Sequence, residues 1–552
     1  MKKQLYIIPA LAGTLVPVAC AQKTAAQESG RPPRQYNIVH IMSDDHSYQT
    51  LSAYGSPVSQ VAPTPNMDRL AAMGMLFTRA YVENSISSPS RACHLTGKYS
   101  HINGKMKLGA ATPFDSSQES FPALLQQAGY QTAVFGKWHL ETDPCGFDYW
   151  RILNGQGTYY SPAFRAKGEK GWTVMEGQYE AGLVTDFALD WLEHRDPSKP
   201  FYLSVHHKSV HRNWFPEPKY FDLYDDVQFP EPSTLFDDYN TRGGAAHCQQ
   251  MSIEKNMVLS NDNKVWELLP PVKGKESQRT DEFHKEFNRM TPEQQKQFIE
   301  AYEAENEAFL AADLKGEDLV RWKYQRYLHD YTRCVRSLDD EVGRVLDYLE
   351  DHGLLENTIV VYCSDQGFYM GEHNWFDKRF MYEESFRTPL IIACPSLIPA
   401  GSVCSELVQN IDYAPTYLTA AGAPVPESMN GTPLQPLFKT GKAPKGWRDC
   451  LYYHYWDYPA VHNVRRHDGV MDKRYKLIHF KDNGGGNGKK DQPIDEWEFY
   501  DLKNDPSELN NVYGSPKYQN QIKRLSRRLS DFRKDLKVDE AEAEFNLKPY
   551  SK

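Results

Sequence analysis

The sequence predicts an α/β fold: a large, mostly parallel sheet sandwiched by helices, followed by a small C-terminal domain with an antiparallel sheet and a terminal helix. Three observations predict it. Several short runs are apolar throughout and end in charge, as strands buried on both faces do. Helical patterns alternate with these runs, which calls for crossover connections in a parallel sheet. At 552 residues the chain exceeds one ordinary core, so two domains are expected.

The elements follow in chain order. Lys2 and Lys3 precede an apolar run, "LYIIPALAGTLVPVA", that closes on small residues through Ala21. This pattern is a signal peptide over residues 1–21, too short to span a bilayer. It predicts export, with the periplasm as destination. Cys20 leaves a second reading, the lipid-bearing cysteine of an outer-membrane lipoprotein, although Pro17 stands where that signal wants leucine. No other segment reads as transmembrane. "YNIVHIM" is the first strand. "TPNMDRLAAMGMLF" opens a helix with Thr64 at the N-cap and Pro65 at its first position. "FPALLQQAGYQTAVFGKWH" is a helix, a stop at Gly129 and a strand. "PFYLSVHHK", "NTIVVYCSDQG" and "RTPLIIACP" are further strands. Residues 291–352 read as two charged helices broken near Gly316. The Pro/Gly/Lys stretch "KTGKAPKGW" divides a catalytic domain, 34–440, from a C-terminal domain, 447–545. In the latter, "YKLIHF" and "EWEFYDLKNDPSELNN" give the antiparallel sheet and the last helix.

A net charge of −10 leaves no diffuse basic field, which excludes a nucleic-acid partner. An anionic ligand would be held by local cations alone. The cysteines from Cys93 onward are scattered, with no C-x-x-C pair to signal zinc or redox chemistry. Cys394 and Cys404 are the nearest candidates for a disulfide, and core thiols are the expectation for the rest.

Ligands bind at the carboxyl ends of strands in such sheets. After the first strand come Asp44, Asp45 and His46. Lys137 and His139 follow the strand in "FGKWH". His206, His207, Lys208 and His211 follow "FYLSV". Asp365 and Gln366 follow "TIVVYCS", with Glu372, His373 and Lys378 beyond. Asp44, Asp45, Asp365 and Gln366 offer oxygen only, which selects calcium or magnesium over zinc. Arg91, Lys137, His139, His211 and Lys378 suit an anion with several oxygens. A hard cation beside such a ring points to a sulfuryl or phosphoryl group. Asp44–Asp45 alone reads equally as a solvated turn; the second pair, Asp365–Gln366, argues against that. His206 and His207 are adjacent, so at most one faces the site. Lys208 reads equally as surface or pocket, and Glu372 and His373 as braces of their loop.

The stretch "SISSPSRACHLTGK" raises the question of a nucleophile. Ser87, Ser88, Ser90 and Cys93 compete, and none has a Gly-x-Ser-x-Gly surround. Here the chain resembles the type I sulfatases of the alkaline phosphatase superfamily. Their signature is Cys or Ser, any residue, Pro-Ser-Arg, then Thr-Gly. Ser87, Ser88, Pro89, Ser90, Arg91, Thr96 and Gly97 match it. "TPNMDRLA", "GKWHL", "SDQGFYMGEH", "DYAPT" and "YDLKNDPSELNN" extend the likeness over nearly all of the mature chain.

The resemblance implies that a sulfatase-maturating radical enzyme converts Ser87 to formylglycine (3-oxoalanine). It places Asp44, Asp45, Ser87, Asp365 and Gln366 on calcium, with Arg91 orienting residue 87. Lys137 and Lys378 would hold sulfate oxygens, His139 the spare hydroxyl, and His211 would protonate the leaving alcohol. Sulfate-ester hydrolysis needs a barrier lowered by something on the order of 20 kcal/mol. A plain serine would leave a stable ester, whereas an aldehyde hydrate has one hydroxyl to attack and another to expel sulfate. Gln366 departs from the Asn or His common at that position but keeps a carbonyl oxygen. Cys93 lies outside the signature and reads as core. The stretches "GFDYWRILNGQGTYY", "HHKSVHRNWFPEP", "FDKRFMYEES" and "YYHYWDYPAVHNVRRH" resemble bacterial sulfatases that remove 6-O-sulfate from N-acetylglucosamine in host glycans, glycosaminoglycan or mucin. Asp377, Arg379, His462 and Arg465 are then the candidates for gripping the sugar, with His467 in the same basic group. Two other classes stand as alternatives: a zinc phosphoesterase of the same superfamily, and a non-catalytic glycan-binding relative with unmodified Ser87.

Overall fold

The computed structural model describes residues 35–109, 112–270 and 279–547. The expected signal peptide and Cys20 lie outside the described residues. The strands are β1 (Asn37–Ser43), β2 (Met75–Phe77), β3 (Ala80–Tyr81), β4 (Gln131–Gly136), β5 (Tyr149–Leu153), β6 (Ala163–Ala166), β7 (Thr173–Val174), β8 (Phe201–His206), β9 (Thr358–Ser364), β10 (Leu390–Ala393), β11 (Ser402–Cys404), β12 (Val408–Gln409), β13 (Cys450–Tyr455), β14 (His467–Asp472), β15 (Tyr475–Asp482) and β16 (Ile494–Asp501). The helices that carry the argument are α1 (Pro65–Met73), α2 (Ser87–Thr96), α3 (Phe121–Gln127), α4 (Glu180–His194), α5 (Pro292–Ala312), α6 (Gly316–Asp351), α7 (Glu383–Phe386), α8 (Tyr413–Ala420), α9 (Gln519–Asp535) and α10 (Val538–Leu547).

Among the described residues, ten strands form one sheet in the order β11-β2-β10-β9-β1-β8-β4-β5-β6-β7. Its centre, β9-β1-β8-β4-β5, is parallel throughout. Alternation along the strands splits the core into two faces. Ile38, Met42 and Val134 pack on one side against Phe121, Leu125 and Tyr417 of α3 and α8. Val39, Ile41, Ala133 and Phe135 pack on the other against α1, α4 and the second half of α6. Outside this centre the pairings are antiparallel, except that β11 runs parallel to β2. The "RTPLIIACP" strand, β10, runs against β9 with Leu390 opposite Cys363. The reason is local: residues 365–389 stay at the carboxyl edge, so β10 starts there and must run back.

The two expected helices are α5 and α6. Thr291 opens α5 with a reciprocal cap, its hydroxyl accepting from the Gln294 amide (3.2 Å) and its own amide donating to Gln294 Oε1 (2.9 Å). Asp313, in the left-handed region at φ 46°, ends it. The small sheet, β13-β14-β15-β16, is antiparallel. Only its last two strands were read from sequence, and two helices, α9 and α10, follow instead of one. Cys394 and Cys404 are not joined by a disulfide, which corrects the suggested pairing. Cys394 follows β10 and Cys404 ends β11, and β2 lies between those strands.

Gly136 fixes the tip of β4. It sits at φ 91°, and a Cβ there would lie 1.9 Å from the His206 carbonyl oxygen. Only glycine lets β4 lie this close to β8 just before Lys137. Gly136→Ala is therefore expected to lower stability by at least about 1–2 kcal/mol in chemical denaturation, from the left-handed backbone alone, and to lower turnover. An unchanged midpoint would show that the carboxyl edge is slack at this point.

Candidate active site

Four neighbouring strand tips build the site. Ser43 is in register with Ser364, and Met42 and Gly136 both with His206. The next residues along each strand are therefore side by side: Asp44 beside Asp365, and Lys137 beside His207. The Asp45 amide donates to Asp365 Oδ1 at 3.1 Å. Asp44, Asp45 and Asp365 are buried, each offering a carboxylate oxygen within 4.8 Å of the others'.

Helix α2 brings residue 87 to this cluster. Ser87 is its first residue, and Ser87 Oγ donates to Asp44 Oδ1 at 3.2 Å. The rest of the signature anchors the helix. Arg91 Nε donates to Asp365 Oδ2 (3.0 Å) and Arg91 NH1 to the Lys137 carbonyl (2.8 Å). Ser90 Oγ bonds the Asp365 carbonyl, and Thr96 Oγ1 donates to the Ala92 carbonyl at 2.8 Å. Gly97 closes α2 at φ 66°, its amide reaching the Cys93 carbonyl at 2.8 Å. Cys93 is buried, with its thiol 3.1 Å from Glu83 Oε2, away from the acidic cluster.

Three cations balance three acids. Lys137 Nζ bonds Asp44 Oδ2 and Gln156 Oε1, the latter at 2.6 Å. Lys378 Nζ meets both Asp45 oxygens at 2.5 and 2.6 Å. Gln366 Nε2 also bonds Asp45, which leaves Gln366 Oε1 buried without a hydrogen-bond partner. An orphaned carbonyl oxygen beside three carboxylates fits a hard divalent cation, the oxygen-only donor set the sequence predicted.

His211 Nε2 lies 3.7 Å from Asp45 Oδ2, and its Nδ1 is 2.5 Å from the Arg212 carbonyl. His139 presents a buried Nδ1 with no partner. Burial, then nearby cations, push both rings well below the ordinary histidine range, so both are neutral near pH 7. Burial would raise the Asp44 carboxyl, but Lys137, with Arg91 and Lys378, holds it well below the usual range. Asp45 is pushed up to about 7 and Asp365 to about 6, by burial first and with further contributions from neighbouring carboxylates. Burial pulls the Lys137 ammonium down to about 8, opposed by Asp44.

A second group adjoins Lys378. Asp377 Oδ1 is 3.1 Å from Arg379 Nε, and Asp377 Oδ2 is 3.2 Å from His462 Nε2. Arg379 keeps a buried NH1 without a hydrogen-bond partner. Arg465 is not tied to this group: it grips Asp482 through two bonds (2.8 and 2.6 Å) and the Gln492 carbonyl (2.6 Å). His206 and His207 diverge. His206 Nδ1 meets the Lys137 carbonyl at 3.3 Å, and His207 faces Glu180 at 4.0 Å. Lys208 Nζ sits 4.9 Å over the Tyr159 ring. Glu372 accepts from Gln49 Nε2 (2.6 Å) and the Met370 amide (2.7 Å), and His373 contacts Asp237 at 2.8 Å, so both brace the loop. His467 is held in the core by the Met381 amide at 3.1 Å. Gln156 and Asp262, which bonds Arg212 through two contacts at 2.7 Å, escaped sequence reasoning. A glutamine in a Gly-rich loop carries no pattern that marks it.

An acidic cluster that could hold a cation, a helix-borne hydroxyl and a ring of cations are the equipment of a hydrolase of oxyanion esters. The chain belongs to the sulfatase family: the model described as "Sulfatase" matches residues 36–423, and "N-sulphoglucosamine sulphohydrolase, C-terminal" matches 371–535. It is 45% identical over 536 residues to an N-acetylglucosamine-6-O-sulfatase of Bacteroides thetaiotaomicron, covering 96% of this chain and 91% of the relative. It is 26% identical over 444 residues to the human N-acetylglucosamine-6-sulfatase, covering 76% and 67%. A solved structure described as in complex with its substrate D-glucosamine-2-N,6-O-disulfate superposes with TM-score 0.85 at 45% identity, covering 92% of this chain and 99% of that one.

The raised Asp45 and Asp365 values set a pH window for cation binding. Below about 6 to 7 these carboxyls hold protons that a cation must displace. Divalent-cation affinity is expected to rise with pH up to about 7 and then level off, with proton release below that point. Calorimetry in two buffers of different ionisation enthalpy measures it. Asp365→Ala should abolish binding and turnover while the circular dichroism spectrum is kept. A rate untouched by chelation would refute the cradle.

Proposed function

We propose that the chain removes the 6-O-sulfate of N-acetylglucosamine in host glycans, glycosaminoglycan or mucin, using calcium and a formylglycine made from Ser87 by a radical maturase. The observation that carries this reading is the placement of Ser87 Oγ, 3.2 Å from Asp44 in a buried acidic cluster ringed by Arg91, Lys137 and Lys378. The sugar assignment draws on the 45%-identical relative and its stated activity. Export to the periplasm after loss of residues 1–21 accords with this, and lipidation at Cys20 is the alternative anchor. Among the described residues no helix is long and apolar enough to cross a membrane.

Calcium on Asp44, Asp45, Asp365 and Gln366 would supply a fixed double charge that acidifies a hydroxyl at residue 87 and neutralises sulfate oxygens. The formylglycine hydrate would supply two hydroxyls on one carbon, one to attack sulfur and one to release it. The chain's own residues do the rest. Arg91 locks the start of α2 to Asp365 and to the Lys137 carbonyl, which fixes residue 87. Lys137 and Lys378 hold the sulfate oxygens. The free Nδ1 of His139 accepts from a hydroxyl at residue 87. His211 is neutral at rest because burial outweighs its acidic neighbours; the ester's negative charge offsets that burial, so the ring gains a proton to give to the leaving alcohol. Asp377, Arg379 and His462 read the sugar hydroxyls, and Arg465, bonded to Asp482 and the Gln492 carbonyl, stands apart from them.

Protein from a host with the maturase should carry a residue at position 87 lighter than serine by two hydrogens. Protein made without it should carry serine and be nearly inactive. Rapid turnover by enzyme shown by mass spectrometry to retain serine would sink the mechanism.

A wrong epimer would leave the buried NH1 of Arg379 without a partner, and buried polar groups discriminate steeply for that reason. 6-O-sulfo-N-acetylglucosamine should be cleaved at least about tenfold faster than its galactose epimer, about 1.4 kcal/mol. A panel of 2-, 3-, 4- and 6-O-sulfated sugars tests this. Preference for a non-C6 sulfate would overturn the sugar assignment and leave the sulfatase assignment standing.

A further inference from the structure

Outside the acidic cluster, a cavity of about 410 Å³ opens where the edge of the large sheet meets the small one. Five cations line it: Arg79, Arg387, Lys473, Arg474 and Lys503. Its two acids are already occupied. Asp472 is bonded by Arg524 and by the Arg474 and Tyr475 amides, both at 2.7 Å. Glu383 is held by Lys476 (3.0 Å) and the Tyr81 hydroxyl (3.1 Å). Arg474 is bonded to Asp501, and Lys473 to Glu406.

Arg387 differs from these. Its guanidinium lies flat over Tyr48, 4.0 Å from the ring centroid, with Tyr54 at 5.6 Å. Its Nε is buried without a hydrogen-bond partner, and among the described residues no carboxylate lies within 4.0 Å of it. A half-buried arginine held rigid by two aromatic rings, facing a basic cavity with its donors unused, has the chemistry of an oxyanion receptor. The acid whose charge it feels, Glu383, is bonded by Lys476 and Tyr81 instead, so the donors of Arg387 are left for something outside the chain. Lys503, exposed at the rim, adds a second cation.

We propose that this pocket binds a tetrahedral oxyanion, sulfate above all, separately from the cluster around Asp44. The same chemistry has two sources, a further sulfate group on a long glycan or free inorganic sulfate. The glycan source rests on the proposed function and the free-ion source does not.

Crystals of the full chain soaked in selenate, which mimics sulfate and scatters anomalously, test the site directly. An anomalous peak is expected within hydrogen-bond reach of Arg387 and is expected to vanish in Arg387→Ala. Lys503→Ala, a change at an exposed position, should weaken the peak if Arg387→Ala does not fold. KM for a sulfated tetrasaccharide, set against that for the monosaccharide, separates the sources. A rise of about threefold in Lys503→Ala for the tetrasaccharide alone, in line with one exposed ionic contact, supports a glycan sulfate. A selenate peak without that rise supports the free ion. No peak and no rise, or a peak that persists in Arg387→Ala, overturns the site. Failure of the wild-type chain to cleave any sulfated sugar would count against the proposed function, and the selenate result would still decide this one.

Discussion

Three carboxylates crowded within 4.8 Å in a dry interior repel one another, and much of the molecule answers that repulsion. An uncompensated buried charge costs several kcal/mol even after relaxation. Asp44 meets Lys137 and Arg91, Asp45 meets Lys378, and Asp365 meets Arg91. Each cation arrives on a different element. Arg91 comes on α2, Lys137 on the tip of β4, and Lys378 on the long loop between β9 and β10. The cluster therefore ties four parts of the chain together, and the parallel register of β9, β1, β8 and β4 is what keeps the acids close.

The small sheet matters because that loop needs a floor. Residues 365–389 would otherwise hang over the carboxyl edge with little hydrophobic support. Tyr453 donates to the Arg379 carbonyl, and His467 Nε2 receives the Met381 amide. Lys476 bridges Glu383 and Glu508 at 3.0 and 2.8 Å, fully buried between loop and sheet. Trp375, Phe380, Met381 and Tyr382 share one apolar cluster with Tyr453, Tyr455 and Phe480 of the small sheet. Asp377 and Arg379 occupy left-handed backbone, at φ 75° and 97°, a conformation held only where surrounding contacts over-determine it. The second sheet supplies those contacts, which connects it to the geometry of Lys378.

Much of this was legible in the sequence, for physical reasons. Continuous apolar runs marked β1, β4, β8 and β9, because strands buried on both faces tolerate nothing else. Charged tips then marked the site without any knowledge of the fold's exact order. The orientation of β10 was not legible: "RTPLIIACP" has the same composition in either direction, and its sense depends on where the preceding loop ends. β13 and β14 escaped because "CLYYHY" and "HDGVMD" lack clean alternation; both faces of that sheet are covered, one by α9 and the other by the 365–389 loop. His462 and Arg465, three residues apart in one basic stretch, part company in space. Arg465 turns to Asp482 across the β14–β15 side of the small sheet, a pairing seventeen residues distant that no local pattern announces.

The charge count bears on which oxyanion the site handles. The three acids and three cations cancel, so a single divalent ion would leave the cluster with two positive charges. A sulfate monoester brings one negative charge in the ground state, and negative charge grows on the leaving oxygen as the bond to sulfur breaks. A preorganised excess of positive charge is worth most against charge that develops during reaction. A phosphate monoester brings two negative charges at the outset and would consume that excess before the bond breaks. Two-metal phosphoesterases meet that demand with a second divalent ion. In this chain Lys137 and Lys378 stand against the acids, and Gln366 contributes a neutral oxygen. Exchanging a second metal for two lysines keeps the total charge but spreads it over two buried ammonium groups, each held against an acid of the cluster. The pairing of one cation cradle with two buried lysines thus favours a monoanionic ester, in agreement with the family to which the sequence belongs.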